Sequence, residues 1–276
     1  MEEEEIKKNL LEKSDKIGLF TELEVADTFK NNGFRIELNK YYDDIDEEKG
    51  REIDLVAEYC KKTDTDGDDY LEMSFKFIVE IKKSSNPWIF STFSSDDFHE
   101  NESPFFRYTS ENFDKISLIS TFKKHLGEIN NQRLGRNFSV LDTSNPKAKS
   151  NDSQIIGSLF SVSKAFYEEY FLNNYIKENE GKLSEKIFEY YELLVVVDAP
   201  IYEIFVNNEG KEISQVNEVL VSFNYKSPKY NNTSIYFIRV LNKDYLNQFL
   251  KERVGSFKKI SEEILAKEGD GKPFVD

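Results

Sequence analysis

The sequence predicts a mixed α/β protein in which helices cover a central β-sheet. Segments with helical and with strand patterns follow each other in the order helix, strands, helices, strands, helix, which is typical of layered α/β architectures. The apolar run from Leu193 to Val197 is typical of a strand that is buried on both faces. The 276 residues include 23 Phe and 15 Tyr, which supply the core of one large domain.

The first third of the chain predicts helices followed by strands. Residues 1–13 predict a frayed or docked helix. In residues 18–31, the side chains of Leu19, Val25, Ala26 and Phe29 fall on one helical face, and the pair Asn32-Gly33 then predicts the helix end. The following segments are predicted as a strand at 34–38, a loop at 39–50, a strand at 53–59, a turn at 60–70 and a strand at 75–82.

The remaining two thirds predict an elaboration of this core. Loops are predicted at 84–110 and 135–152, helices at 111–130, 153–179 and 243–268, and strands at 193–197, 201–206, 216–225 and 234–241. We therefore expect one domain over 1–276. Its core motifs lie in 18–84, a mainly helical or loop elaboration in 85–190, and a sheet extension with a closing helix in 191–268.

Composition excludes several kinds of site. One cysteine and two histidines exclude a disulfide framework within the chain and a thiolate zinc site, and they disfavour zinc sites built from several imidazoles. The net charge of -15 disfavours nonspecific, electrostatically driven binding to nucleic acid. The sequence has no apolar run of 18 residues and no signal-peptide pattern, so a cytoplasmic protein is expected.

The predicted hairpin contains the residues that are the strongest candidates for a catalytic site. On the strand at 75–82, Glu80 and Lys82 share a face with Ile78, since side chains alternate along a strand. Hairpin pairing can bring Asp54 of the preceding strand beside Glu80. Two adjacent carboxylates repel unless a cation neutralises them, and Mg²⁺ prefers such oxygen ligands. The carbonyl of Ile81 could add an oxygen, and Lys82 could orient the attacking water or stabilise developing charge.

A helical glutamate is the fourth candidate. Glu22 precedes Val25, Ala26 and Phe29 by three, four and seven residues, which places it on the apolar face of the predicted helix. Glu24 shares the mostly polar face instead. Glu22 is therefore the glutamate that we expect at the site.

At these residues the sequence resembles the PD-(D/E)XK nuclease superfamily, whose pattern is a helical Glu, then Asp, then (Asp/Glu)-X-Lys on the next strand. Here the pattern reads Glu22, Asp54 and Glu80-Ile81-Lys82, and the context of Glu22 resembles the first core helix of Mrr-like and resolvase-like branches. The resemblance covers about 18–84. Ile53 stands where the family's name-giving motif has Pro, and the gap from Asp54 to Glu80 is long, but neither departure removes a ligand.

The resemblance implies a three-layer, restriction-endonuclease-like core with a central mixed β-sheet flanked by helices, plus a helical insertion and extra C-terminal strands. It also implies Mg²⁺-dependent hydrolysis of phosphodiester bonds, with Mn²⁺ as a substitute. The expected function is a DNA endonuclease, and by analogy of fold alone one that acts in bacterial defence against foreign DNA. The implied catalytic residues are Asp54, Glu80, Lys82 and Glu22, and the implied metal ligands are Asp54, Glu80, Ile81 and Glu22.

Alternatives stay open at this point. The motif also fits RNA cleavage or repair. The acidic charge favours a non-catalytic, nuclease-like binding or assembly subunit, and a partner-gated effector is a further alternative; a homodimer would suit double-strand cleavage. Weaker candidates for contacting nucleic acid are Trp88, Lys83, Lys123, Lys124, Arg133, Arg136 and Lys164. A hydrophobic plug or a solvated face explains such residues as readily. The acidic turn at 64–69 lacks the spacing of an EF-hand.

Overall fold

A computed structural model describes residues 3–16, 18–63, 71–94, 105–108, 115–126, 133–145, 152–172, 186–207, 210–227, 229, 233–268 and 274–275. The α-helices of these ranges are α1 Glu3–Lys16, α2 Leu19–Asn31, α3 Lys115–Leu126, α4 Ser153–Tyr167 and α5 Leu246–Glu268. A π-helical turn, Glu168–Leu172, extends α4, and a short 3₁₀ turn precedes α5. None of these helices combines the length and the apolar character that crossing a membrane requires.

The strands of the described ranges form one mixed sheet. They are β1 Arg35–Asp44, β2 Lys49–Thr63, β3 Leu71–Lys83, β4 Trp88–Ser94, β5 Phe105–Tyr108, β6 Arg133–Val140, β7 Lys186–Asp198, β8 Ile201–Asn207, β9 Gly210–Val216, β10 Glu218–Lys226, β11 Thr233–Asn242 and β12 Phe274–Val275. The main order is β1-β2-β3-β7-β11-β10-β6-β4-β8-β9, with β5 paired to β7 and β12 paired to β2.

The connection between β3 and β4 shows that the sheet is strongly curved. Only residues 84–87 separate these strands, yet β4 lies five places from β3 in the sheet order. Five interstrand spacings cover about 24 Å in a flat sheet, whereas the chain from residue 83 to residue 88 reaches at most about 18 Å. The sheet therefore curls back on itself. Helix α4 packs against this sheet and contacts β1, β2, β3, β6, β7 and β10. Its apolar residues share one hydrophobic cluster with residues of β4 and β11 as well.

Because side chains alternate along β3, this strand contributes residues to two separate hydrophobic cores. Phe77, Val79 and Ile81 belong to the core beneath α2, α3 and α5. Ile78 belongs to the core around α4, on the same face of β3 as Glu80. The predicted division of this strand into two faces is confirmed. The run at 193–197 is also confirmed as a strand buried on both sides, since each of its residues is at most 1% exposed.

Several local predictions hold and others are wrong. Helix α2 ends at Asn31, followed by Gly33 with φ +88, as the sequence predicts. The predicted loop at 39–50 is wrong, because β1 continues to Asp44 and β2 starts at Lys49. The extended hairpin arm pairs residue by residue, and such ladder pairing overrides a polar composition. The acidic turn at 64–69 lies outside the described residues.

The interval 85–190 contains strands that the sequence did not predict, besides the helices α3 and α4. It contributes β4, β5, β6 and the start of β7, so the predicted loops at 84–110 and 135–152 are wrong where these strands lie. Strand β4 pairs with β6 and β8, which are distant in sequence, and such partners leave no local signal. The predicted helix 153–179 leaves α-helical geometry after Tyr167, and residues 173–185 lie outside the described ranges.

Candidate active site

The pairing of β2 with β3 sets Asp54 beside Glu80. The antiparallel register ends at the pair Leu55–Val79, so the next residues on the two strands are Asp54 and Glu80. Asp54 is also unpaired in the ladder between β1 and β2. The residue opposite it is Asn39, which has a φ of 50. The backbone ladder is thus interrupted on both sides of Asp54.

The Asp54 side chain replaces the missing ladder contact. Its Oδ2 accepts a hydrogen bond of 2.6 Å from the backbone N–H of Ile81. In a β-strand the carbonyl of a residue points to the same side as its N–H. The carbonyl of Ile81 therefore faces the Asp54 side of β3. The sequence pattern predicts this carbonyl oxygen as a further metal ligand.

Lys82 bridges the two carboxylates. Its Nζ lies 2.5 Å from Oε1 of Glu80 and 3.8 Å from Oδ2 of Asp54. Burial acts to lower the pKa of Lys82, but Glu80 and then Asp54 raise it more, and its net pKa lies above the ordinary value. The ammonium group therefore stays charged and holds both carboxylates.

Glu80 is the most buried member of the group, at 6% exposure. Its Oε2 has no hydrogen-bond partner among the residues that the structure describes. Burial raises the pKa of Glu80 to about 7; Lys82 opposes this shift, Asp54 adds to it, and the hydroxyl of Ser161 on α4 opposes it. A buried oxygen without a partner is costly unless a ligand or an ion satisfies it.

Helix α2 brings Glu22 to the same group. Glu22 is partly buried, and burial followed by the charge of Asp54 raises its pKa, which Lys82 partly offsets. Glu24 points elsewhere, since its side chain is 61% exposed and pairs with Lys243 at 2.7 Å. Glu22 and not Glu24 is thus the glutamate of α2 that shares the electrostatic environment of the site.

The donor set fits a magnesium ion with an incomplete protein shell. In the described part of the chain, no three carboxylate, imidazole or thiol groups converge into a ready-made metal cage. Asp54 and Glu80 supply two hard oxygen donors, and the unpartnered Oε2 of Glu80 is one of them. Mg²⁺ is commonly held by one or two carboxylates together with waters and substrate phosphates. Glu22 would then act through water.

Two members of the group, Glu80 and Lys82, line an open cleft of about 580 Å³. Glu80 and Lys82 line its floor, α4 forms one wall, and the turn between β1 and β2 forms the other. The lining residues are Tyr42, Asp44, Asp46, Glu47, Arg51, Glu80, Lys82, Ser153, Gln154, Gly157, Ser158, Phe160, Ser161, Lys164 and Tyr225. The volume falls within the 300–1,000 Å³ range of small-ligand pockets, as a rough guide.

Trp88 does not serve the role in nucleic-acid contact that its sequence position suggested. It is fully buried in the core around α4, so it cannot stack on a base, and the hydrophobic-plug interpretation is correct. Lys164 lines the cleft but binds Asp44, with 2.8 Å between Nζ and Oδ2. Lys83 borders a neighbouring depression together with Ser84 and Gln154.

The basic stretch in the middle of the chain is divided by the fold. Lys123 and Lys124 lie on α3, and Lys124 pairs with Glu263 of α5. Arg133 and Arg136 lie on β6, and Arg133 pairs with Glu203. The four residues therefore do not form one basic surface beside Asp54 and Glu80.

Sequence reasoning missed the charged wall of the cleft. Asp44 is completely buried as a side chain and lies 2.7 Å from Nε of Arg51, while Tyr42 and Ser161 lie near Glu80. Tyr42 and Asp44 were missed because the sequence predicted a loop at 39–50. The signal available was the alternation of Tyr42 and Asp44, two residues apart, which is typical of a strand.

Comparison with family models, with curated proteins and with solved structures finds no match to this chain.

Proposed function

We propose that this protein is a Mg²⁺-dependent nuclease that hydrolyses phosphodiester bonds. One observation carries the proposal. Asp54 and Glu80 lie on adjacent strands, Lys82 bridges them, and the buried Oε2 of Glu80 has no partner among the described residues. Glu80 and Lys82 line an open cleft. Buried polar atoms are normally hydrogen-bonded, so this unpartnered acceptor oxygen, on a residue that lines a cleft, favours a site that binds a ligand.

Each residue has a distinct task in this proposal. Asp54 and Glu80 hold the metal, which acidifies water and neutralises charge on the scissile phosphate when bound. Lys82, two residues after Glu80 on the same face, stabilises the charge that develops on the phosphoryl oxygens. Glu22 orients the attacking water from α2. The hydrogen bond from Ile81 to Asp54 fixes that carboxylate, and such fixing preorganises the site.

The test is cleavage of plasmid DNA, linear duplex, single-stranded DNA and RNA with Mg²⁺ or Mn²⁺. Wild-type protein should cut at least one of these substrates, and EDTA should abolish cutting. Lys82→Ala should slow cleavage by about 100-fold or more, as loss of one transition-state donor commonly does. Lys62→Ala is the matched control, because Lys62 is exposed on β2 and its loss should leave the rate unchanged.

Two outcomes oppose the proposal. Absence of cleavage on every substrate, together with no heat of Mg²⁺ or Mn²⁺ binding by calorimetry, would favour the non-catalytic binding or assembly subunit. Equal rates for wild type and Lys82→Ala would assign any observed cleavage to a contaminant. Activity that appears only with an added partner protein would identify the gated effector. The proposal also includes DNA as the substrate, a cytoplasmic location and a role in defence. The substrate panel above tests the first of these.

A further inference from the structure

The turn between β1 and β2, residues 44–48, is held by polar contacts with two other parts of the chain, helix α4 and the residues just after β10. We call it the hairpin tip. On one side Asp44 binds Lys164 of α4, with 2.8 Å between Oδ2 and Nζ. On the other side Ser227 donates a hydrogen bond to Asp46, and Lys229 pairs with Glu48, just beyond the end of β10. The tip therefore bounds the cleft and limits its width.

The size of the cleft suits a single nucleotide. Its volume of about 580 Å³ is that of a small-ligand pocket. Because the hairpin tip is held by Lys164, Ser227 and Lys229, an unpaired strand is easier to accommodate beside Glu80 than a duplex.

Helix α4 leaves an open place in this cleft at Gly157. A Cβ added there would meet no atom within 4 Å, so a flat group can approach the helix backbone. The ring of Phe160, one turn further, and the ring of Tyr225 lie beside it in the cleft wall, 5.3 Å apart at 77°. Aromatic walls next to an open helix face are suited to the flat surface of a base.

Tyr225 provides an independent indication of a ligand. The residue is 8% exposed and lines the cleft, yet its hydroxyl has no hydrogen-bond partner in the part of the chain that the structure describes. A buried tyrosine hydroxyl normally finds a partner. A nucleobase offers ring nitrogens and carbonyl oxygens along its edge, and these can accept the hydrogen bond.

The charges of the cleft agree with recognition through a base. Arg51 and Lys164 are both paired with Asp44, so neither gives the cleft an excess of positive charge. The chain carries a net charge of -15. Tight binding through many phosphates needs such an excess, whereas stacking and hydrogen bonding to one base do not.

We propose that the cleft binds single-stranded nucleic acid and seats one unpaired base between Gly157 of α4 and the Tyr225 hydroxyl, next to the proposed cleavage site. This substrate class rests on the proposed function, since the phosphate beside that base would reach Glu80 and Lys82. DNA and RNA share this chemistry, and the binding assay uses both.

The test measures binding in EDTA, so that turnover does not interfere. Fluorescence anisotropy compares a labelled single-stranded oligonucleotide, as DNA and as RNA, with its duplex and with an abasic strand of equal length. We expect at least one single strand to bind about tenfold or more tightly than the duplex and the abasic strand, because stacking contributes per base. Its affinity should fall only weakly with salt, with a log–log slope below about 2.

Two variants examine the seat of the base. Gly157→Leu fills the open place and should weaken single-strand binding about tenfold or more. Gly255→Leu is the matched control: it also replaces a glycine inside a helix, and a Cβ there also meets no atom within 4 Å. Both should raise the thermal midpoint, since leucine favours helix over glycine, which shows that both proteins fold. Tyr225→Phe should weaken binding severalfold without loss of stability.

The outcomes separate this inference from the proposed function. Duplex binding as tight as single-strand binding, equal affinity of the two leucine variants, or displacement of the oligonucleotide by an equal concentration of a mononucleotide would overturn the single-strand inference. If Lys82-dependent cleavage of duplex persists in Gly157→Leu, the nuclease stands and the inference fails. If single strands bind through Gly157 but no metal supports cleavage, the nuclease fails and the binding site stands.

Discussion

Strand β3 carries two lysines on the same face, Lys76 and Lys82, and each is surrounded by carboxylates. Lys76 Nζ lies 2.6 Å from Glu189, 3.5 Å from Glu169 and 4.0 Å from Glu58. Lys82 Nζ lies 2.5 Å from Glu80 and 3.8 Å from Asp54. Composition alone therefore does not distinguish the two clusters.

The clusters differ in how completely their oxygens are satisfied. Around Lys76, Glu189 also accepts from the hydroxyl of Tyr191, Glu58 accepts from Ser74, and Glu169 accepts from Lys40. Around Lys82, Oε2 of Glu80 lacks a partner within the described ranges and the group faces an open cleft. A saturated cluster serves the fold, whereas an unsaturated one at a cleft has capacity left for a ligand.

Lys76→Met should produce the largest loss of stability. It leaves Glu189, Glu169 and Glu58 without their shared cation, and removing one partner of a buried ion pair costs about 3–5 kcal/mol. Urea unfolding at neutral pH should show this loss, and lowering the pH should reduce it because the stranded carboxylates then protonate. Lys82→Met should cost less than about half as much, since Lys82 is twice as exposed as Lys76, at 29% against 14%. Equal losses would remove the distinction between the clusters.

Glu80→Gln should change the pH dependence of stability. The pKa of Glu80 rises from 4.5 to about 7 in the folded protein, so its stabilising contribution is complete below pH 4.5 and is lost as the pH rises through 7. The shift corresponds to about 3 kcal/mol. The free energy of unfolding should therefore fall less between pH 4.5 and pH 8 in Glu80→Gln than in wild type. Urea titrations of both proteins at four pH values measure this difference, and parallel pH curves would contradict it.

Magnesium should stabilise the protein more at pH 8 than at pH 6. A metal binds the ionised carboxylate, and below pH 7 it must first displace a proton from Glu80. At a free Mg²⁺ concentration of ten times the Kd, the expected stabilisation is about 1.4 kcal/mol. Thermal unfolding with and without Mg²⁺ at both pH values tests this, and Glu80→Gln should lose the effect. A Mg²⁺ shift of the same size in Glu80→Gln would place the ion elsewhere.

The contrast between the clusters also shows what the sequence could predict. Glu80 and Lys82 lie two residues apart on one strand, so alternation alone placed them side by side. Glu22 followed from helical phase, and Asp54 from the neighbouring strand. The partners of Lys76 come from β2, from β7 and from the π-helical turn after α4, and no local spacing connects them.

The same reasoning explains which parts of the fold were missed. Helix α2 can be predicted from its helical periodicity, and the strand at 193–197 from its continuous apolar character. Strands β4 and β6 are stabilised by pairing with each other, and their paired residues lie 39 to 52 positions apart in the sequence. The wall of the cleft depends on an arm of β1 and β2 whose polar sequence is typical of a loop. Sequence thus predicted which charged groups lie together, while the shape of the cleft required the tertiary structure.

Glu22→Gln should have the smallest effect on catalysis, about a five- to tenfold loss of cleavage rate. In the proposed mechanism Glu22 orients a water and does not itself hold the metal. Glu24→Gln is its matched control: it lies two residues away on the same helix, is mostly exposed and pairs with Lys243, so its rate should stay at the wild-type value. Stability should change little in either variant, since neither charge is fully buried. Initial rates on the best substrate measure both. If Glu24→Gln slows cleavage more than Glu22→Gln, the helical phase of the site is wrong, and α2 contributes to it through the face that carries Glu24.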